Sequence, residues 1–83
     1  MSKPTYIAAI DIGTQSIIGA IAEKLPNKTI QIMGVEEVNT RTGAVTEGKV
    51  KDVNSILYEI KTMCKKLTNK TNIPINKLYV FSS

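Results

Sequence analysis

Six consecutive residues, Asp11-Ile12-Gly13-Thr14-Gln15-Ser16, hold most of the chemistry this chain can offer. A carboxylate stands beside a polar, glycine-containing turn, with apolar runs on both sides, "AAI" before it and "IIGAIA" after it. A charge on a buried strand is costly unless it is paired or sits at the rim of a site. Glycine lets the main chain approach an anion closely. Thr14, Gln15 and Ser16 add side-chain donors to the backbone N–H groups. Gly13, Thr14, Gln15 and Ser16 are therefore candidates to bind a phosphate. Asp11 alone would repel that phosphate, so a cation must lie between them. Mg²⁺ takes oxygen ligands and keeps several waters, and Asp11 is the candidate to orient those waters. The bland alternative is a plain hairpin whose Asp caps its own turn. The local string alone leaves both readings open.

The rest of the composition narrows the chemistry. Eighty-three residues make at most one small domain, 42% of it apolar and 22% charged, as in ordinary globular proteins. With no His and one Cys, the usual general base is missing, an internal disulfide is impossible and a zinc site is disfavoured. This suits a reducing cytoplasm. The net charge of +4 is carried by scattered lysines, with Arg41 the sole arginine and few aromatic rings. Nucleic acid is not expected as a partner on these grounds. Polar residues interrupt the apolar N-terminal region, so it reads neither as a signal peptide nor as a membrane span.

The elements that must position the hairpin follow from periodicity. Thr5 to Ile12 is apolar on both parities, the pattern of a central strand covered on both faces. Ile17 to Glu23 reads as its antiparallel partner across the short turn. Leu25 to Lys28 is a turn, and Thr29 to Val38 a third strand, nearer the sheet edge, with Gly34 marking a bulge or a close approach. Asn39 to Lys49 reads as a loop. A helix then starts after Asp52 as N-cap, with Val53, Ile56, Leu57, Ile60, Met63, Cys64 and Leu67 on one stripe, and ends within Asn69 to Asn72. Lys77 to Ser83 is a final strand, parallel to the first because a helix crossover precedes it. The order is β-β-β-α-β, and the stop at Ser83 reads as a cut.

Several residues invite only ordinary roles. Cys64 shares the helix stripe and is expected to be a packed thiol, with Met33 and Met63 as core fillers. Lys61 and Lys65 lie on the outer helix face beside Asn54 and Tyr58, where a solvated surface is expected. Glu36, Glu37 and Glu47 stand in polar surroundings, and none is expected to be a catalytic carboxylate.

In order, "AIDIGTQSIIGAIAE", "IQIMGVEEV", "GAVTEGKVKDVNSI" and "KLYVFSS" resemble the N-terminal part of actin-like ATPases, the superfamily of actin, MreB, the large heat-shock chaperones and sugar kinases. Within it the chain is most similar to the bacterial FtsA-type cell-division proteins, through the short G-T-x-x-(I/V) hairpin, the "I-x-I-x-G" strand and Gly48-Lys49-Val50 before the helix. The likeness spans Tyr6 to Ser83. It implies an α/β fold, the β-β-β-α-β part of an actin-like, ribonuclease-H-type ATPase subdomain, with residues 1–83 forming the first part of subdomain 1A. Asp11 then matches the magnesium-associated carboxylate, and Gly13, Thr14, Gln15 and Ser16 match the first phosphate loop. ATP and Mg²⁺ are the implied cofactors. Ser82-Ser83 departs from the Ser-Gly or Gly-Gly with which many relatives end this strand.

For a full-length parent the resemblance implies self-association, binding to a tubulin-like FtsZ and attachment to the cytoplasmic face of the inner membrane through a C-terminal helix outside these residues. Two rivals stand beside it. One is a sugar or acyl kinase of the same superfamily, which would add a catalytic carboxylate. The other is a binding module with no nucleotide.

Overall fold

The computed structural model describes residues 4–40, 43, 45–46 and 49–82. Strand β1 (Thr5–Ile12) and strand β2 (Ser16–Lys24) form the expected antiparallel hairpin, in register from Thr5 opposite Lys24 to Ile12 opposite Ile17. Strand β3 (Ile30–Asn39) pairs antiparallel with β2. Between them Lys28 takes the left-handed conformation (φ 69°), and Leu25 N–H donates to Thr29 O at 2.9 Å. This is the turn that Pro26 and Asn27 announce.

Two short strands, β4 (Val45–Thr46) and β5 (Lys49–Val50), form a separate ribbon where the sequence reads as loop. Val45 is buried and joins the main core. The ribbon's pattern is too short for periodicity to reveal. Glu47 and Gly48, which figure in the sequence reading, lie outside the described residues.

Helix α1 (Val53–Thr71) starts where the sequence places it. The Asp52 carboxylate accepts from Ser55 N–H at 3.1 Å, satisfying one of the first-turn donors. The helix ends on Asn72 in the left-handed conformation, with Asn72 N–H donating to Thr68 O at 2.8 Å. The crossover delivers strand β6 (Leu78–Ser82) parallel to β1, with Ala8 opposite Leu78 and Ile12 opposite Ser82. The main sheet has the order β3-β2-β1-β6.

The helix covers one face of this sheet. Ala8, Ile10 and Ile12 from β1, Ile17 and Ile21 from β2, and Ile56, Met63 and Leu67 from α1 make the core. Contact is close because β2 and β3 each place a glycine under the helix. A Cβ on Gly19 would overlap Met63 Sδ, and one on Gly34 would stand 2.7 Å from Thr71 Cγ2. Gly34 also adjoins a bulge, since Ile21 faces Gly34 while Ala22 faces Ile32, so both sequence readings of this glycine hold. Lys70 fastens the helix end to β3, donating from Nζ to Val35 O at 2.9 Å and standing 3.4 Å from the Glu36 carboxylate.

Three expectations need correction. The sheet is buried on one face only: Ile18, Val35, Tyr79 and Phe81 share the other face and are exposed. The apolar parity of β1 on that side comes from half-buried Ile7 and Ala9, with no covering layer among the described residues. Met33 is 40% exposed and fills no core, because it is the extra residue of the bulge on an edge strand. Val53 and Leu57 are exposed although they fit the helix stripe. The surface beneath the helix is narrower than the stripe, so these two lie beside it.

Candidate phosphate-binding hairpin

The β1–β2 turn closes at Gly13, whose N–H donates to Ser16 O at 2.9 Å. No residue from Gly13 to Ser16 has a positive φ, so the turn is neither type I′ nor type II′. The Gly13 amide is therefore committed to the hairpin, and what this residue offers a ligand is its lack of a side chain. Thr14 and Gln15 are exposed, and their amides have no acceptor among the described residues. Ser16 is half-buried at the start of β2. Two unpaired main-chain donors and the hydroxyls of Thr14 and Ser16 thus stand at one end of the sheet.

Asp11 is exposed, one residue before the end of β1, on the face turned away from α1. The expected desolvation problem does not arise, because its neighbours in register, Ile18 on β2 and Phe81 on β6, lie on the open face. It makes no ion pair or hydrogen bond with the described residues. The Asx-type capping alternative gains no support, since no turn amide donates to it. Glu37, exposed and opposite Ile18, shares this face two strands away, about 10 Å by strand spacing. Glu36 is on the helix side and engaged by Lys70. Among the described residues no three His, Cys, Asp or Glu side chains converge as a metal cluster. Asp11 can thus supply a single carboxylate, which fits an ion that keeps most of its waters.

Sequence reasoning missed one residue of this site. Thr40, just past β3, is 8% exposed, the buried polar residue among those described. Its Oγ1 donates to Gly13 O at 2.8 Å and its N–H donates to Gln15 O at 2.9 Å. A threonine at the head of a polar loop carries no local signal of this. Only the pairing of β3 with β2 brings it to the turn.

Two grooves lie away from the hairpin. One of about 350 Å³ runs between Tyr6, Ile21, Ile73 and Pro74. Another of about 460 Å³ lies between Lys65, Thr68 and Lys77. The first is at the start of β1 and the second at the start of β6, the opposite end of the strands from the hairpin. Cys64 lines the second, half-buried, and burial raises its thiol pKa above the ordinary value, as expected of a packed, unreactive cysteine. Lys61, Lys65, Asn54 and Tyr58 are exposed, as expected. No described helix is long and apolar enough to cross a membrane.

A scan against protein-family models finds no match, and a search of curated proteins finds none either. Solved structures do match. The crystal structure of the Aquifex aeolicus member of the Ppx/GppA protein family is similar to 94% of this chain, with 20% identity and a TM-score of 0.58. A second structure, of the Aquifex aeolicus PPX-GPPA enzyme, matches with the same values. The chain spans about a quarter of those proteins, 26% of their length. At this identity the likeness speaks for the fold alone: these 83 residues carry part of an actin-like α/β fold.

Proposed function

We propose that the Asp11–Ser16 hairpin binds the phosphates of a magnesium nucleotide, within a longer actin-like protein that performs phosphoryl chemistry. The observation that carries this reading is the arrangement at the turn. Thr14 and Gln15 present amides with no acceptor among the described residues, while the neighbouring carbonyls of Gly13 and Gln15 are taken by Thr40. Amides aimed at an anion, with competing carbonyl oxygens turned elsewhere, stabilise negative charge without reorganising. The Thr14 and Ser16 hydroxyls add two donors beside them. Bound Mg²⁺ would neutralise phosphate charge, and the exposed Asp11 carboxylate would accept hydrogen bonds from its waters. Phosphoryl transfer asks a protein mainly for positioning and charge stabilisation, which these groups can supply.

Of the parent readings, an enzyme of this superfamily is favoured over an FtsA-type protein that anchors a division ring. Two solved structures that share this fold are of an Aquifex aeolicus Ppx/GppA family member, and the cell-division reading rests on the sequence resemblance alone. FtsZ binding, self-association and membrane attachment belong to that second reading. The kinase variant would need a further, catalytic carboxylate, and Glu36 is not free for that role because Lys70 engages it.

The reading is tested by calorimetric titration of the full-length protein with ATP, with and without Mg²⁺. Asp11→Ala is expected to weaken the Mg²⁺-dependent affinity by about 10–100-fold, the scale for losing a group that orients a metal's shell. Affinity without metal should change little, and so should the melting temperature, since Asp11 is exposed and has no partner among the described residues. An unchanged metal-dependent affinity would remove Asp11 from the site.

A further inference from the structure

We propose that Thr40 is the positioning residue of the phosphate hairpin: its side chain and its amide together hold the turn so that the Thr14 N–H faces the ligand. The inference rests on the phosphate reading of Asp11–Ser16 and adds the group that shapes it.

The argument starts from the planarity of the peptide. In a trans peptide the C=O of one residue and the N–H of the next point in opposite directions. Gly13 O is drawn to Thr40 Oγ1 at 2.8 Å. The Thr14 N–H, in the same peptide plane, is thereby turned away from Thr40, out of the fold. Gln15 O is drawn to Thr40 N–H at 2.9 Å, which fixes the peptide between Gln15 and Ser16 from the other side of the turn. Two consecutive residues at the hairpin tip, Thr14 and Gln15, are thus bracketed by peptides that one residue anchors. The bracketing has a second effect. An unengaged Gly13 carbonyl could rotate toward the ligand and present a partial negative charge to a phosphate. Hydrogen bonded to Thr40, it is kept on the far side.

Thr40 is suited to this task. It is buried, so its hydroxyl cannot drift to solvent without unburying the residue. It directly follows Asn39, which is paired with Ser16, so its own position is set by the β2–β3 ladder. The two hydrogen bonds are also chemically separable. The backbone one survives any substitution except proline, whereas the hydroxyl one needs Ser or Thr.

The test compares Thr40→Val, Thr40→Ala and Thr40→Ser with wild type in the full-length protein. Binding of Mg-ATP is measured by calorimetry, folding by thermal melts, and the Thr14 and Gln15 amides by their NMR shifts during the titration. Val and Ala remove the hydroxyl in two different ways, one filling the space and one leaving it, so that one badly packed variant does not decide the outcome. Both are expected to weaken binding by roughly three- to tenfold, the reach of one neutral hydrogen bond, and to reduce the ligand-induced shift at Thr14. Thr40→Ser is expected to restore both. A purely structural role would lower the melting temperature of Val and Ala while leaving the affinity and the Thr14 shift of the folded protein unchanged, and that result overturns the proposal. If wild type itself shows no binding and no shift at Thr14 or Gln15, the phosphate reading falls, and the assignment to Thr40 falls with it. Wild-type binding with equal affinity in all three variants overturns the role of Thr40 alone.

Discussion

Adding one methyl group at Gly19 tests how the helix sits on the hairpin that carries the site. Gly19 lies in the middle of β2, on the helix side, with no left-handed φ, so its backbone is open to any L-residue. On conformational grounds Gly19→Ala would stabilise by about 0.4–1 kcal/mol, because alanine loses less entropy on folding. Packing opposes this. The new Cβ would overlap Met63 Sδ and lie 3.1 Å from Met63 Cγ and 3.3 Å from Ile10 Cγ1. Both partners are fully buried, so the thioether has no free space to move into. Overpacking of this kind costs about 1–3 kcal/mol, which offsets the entropic gain and leaves a net loss of up to about 2.6 kcal/mol. Met63→Ala alone should cost about 2–5 kcal/mol as a buried large-to-small change. In the double variant the methyl added at Gly19 enters the room that Met63 vacates, and the clash disappears. The two losses should therefore not add, and the coupling should be about 1–3 kcal/mol in favour of the double variant. Equilibrium urea denaturation of all four proteins, with their m-values compared, measures it. Additive losses, or a Gly19→Ala protein more stable than wild type, would show that α1 does not approach β2 at this position.

Along the helix, Ile60→Ala should be clearly destabilising, toward the lower end of about 2–5 kcal/mol because Ile60 is only partly buried against the core. Lys61→Ala and Leu57→Ala should each stay within about 0.5 kcal/mol, since both residues are exposed; urea melts would show three similar losses if the helix were rotated from this placement. Burial raises the Cys64 thiol above its ordinary value of 9.0 in the folded state. The unfolded chain then loses this proton first, so the Cys64 contribution to stability is intact below about pH 9 and is lost as pH rises through the folded-state pKa. A Cys64→Ser protein should lack that component of the alkaline decline in melting temperature, and slow alkylation of native Cys64 by iodoacetamide near pH 8 gives an independent reading.

Local signals decided the elements. Alternation of small and branched apolar residues made β1 and β2 legible, the short polar turn between them forced an antiparallel pairing, and Asp52 and Asn72 bounded the helix through contacts within a few residues of each cap. The same locality made the hairpin at Asp11–Ser16 visible as a candidate site, because the donors of a phosphate loop are consecutive in sequence. Tertiary structure decided what depends on residues far apart. Which parity of β1 is buried depends on where the helix lands, and it lands on the side of Ile10 and Ile12, leaving Asp11 with Ile18 and Phe81 on the open face. Which part of the helix stripe is buried depends on the width of the sheet beneath it, so Met63 is enclosed while Val53 and Leu57 are not. The carbonyls of the turn find their partner in Thr40, 27 positions along the chain from Gly13. A hydrogen bond across that separation leaves no trace in local composition, since it exists only once β3 has paired with β2 and carried Thr40 to the hairpin.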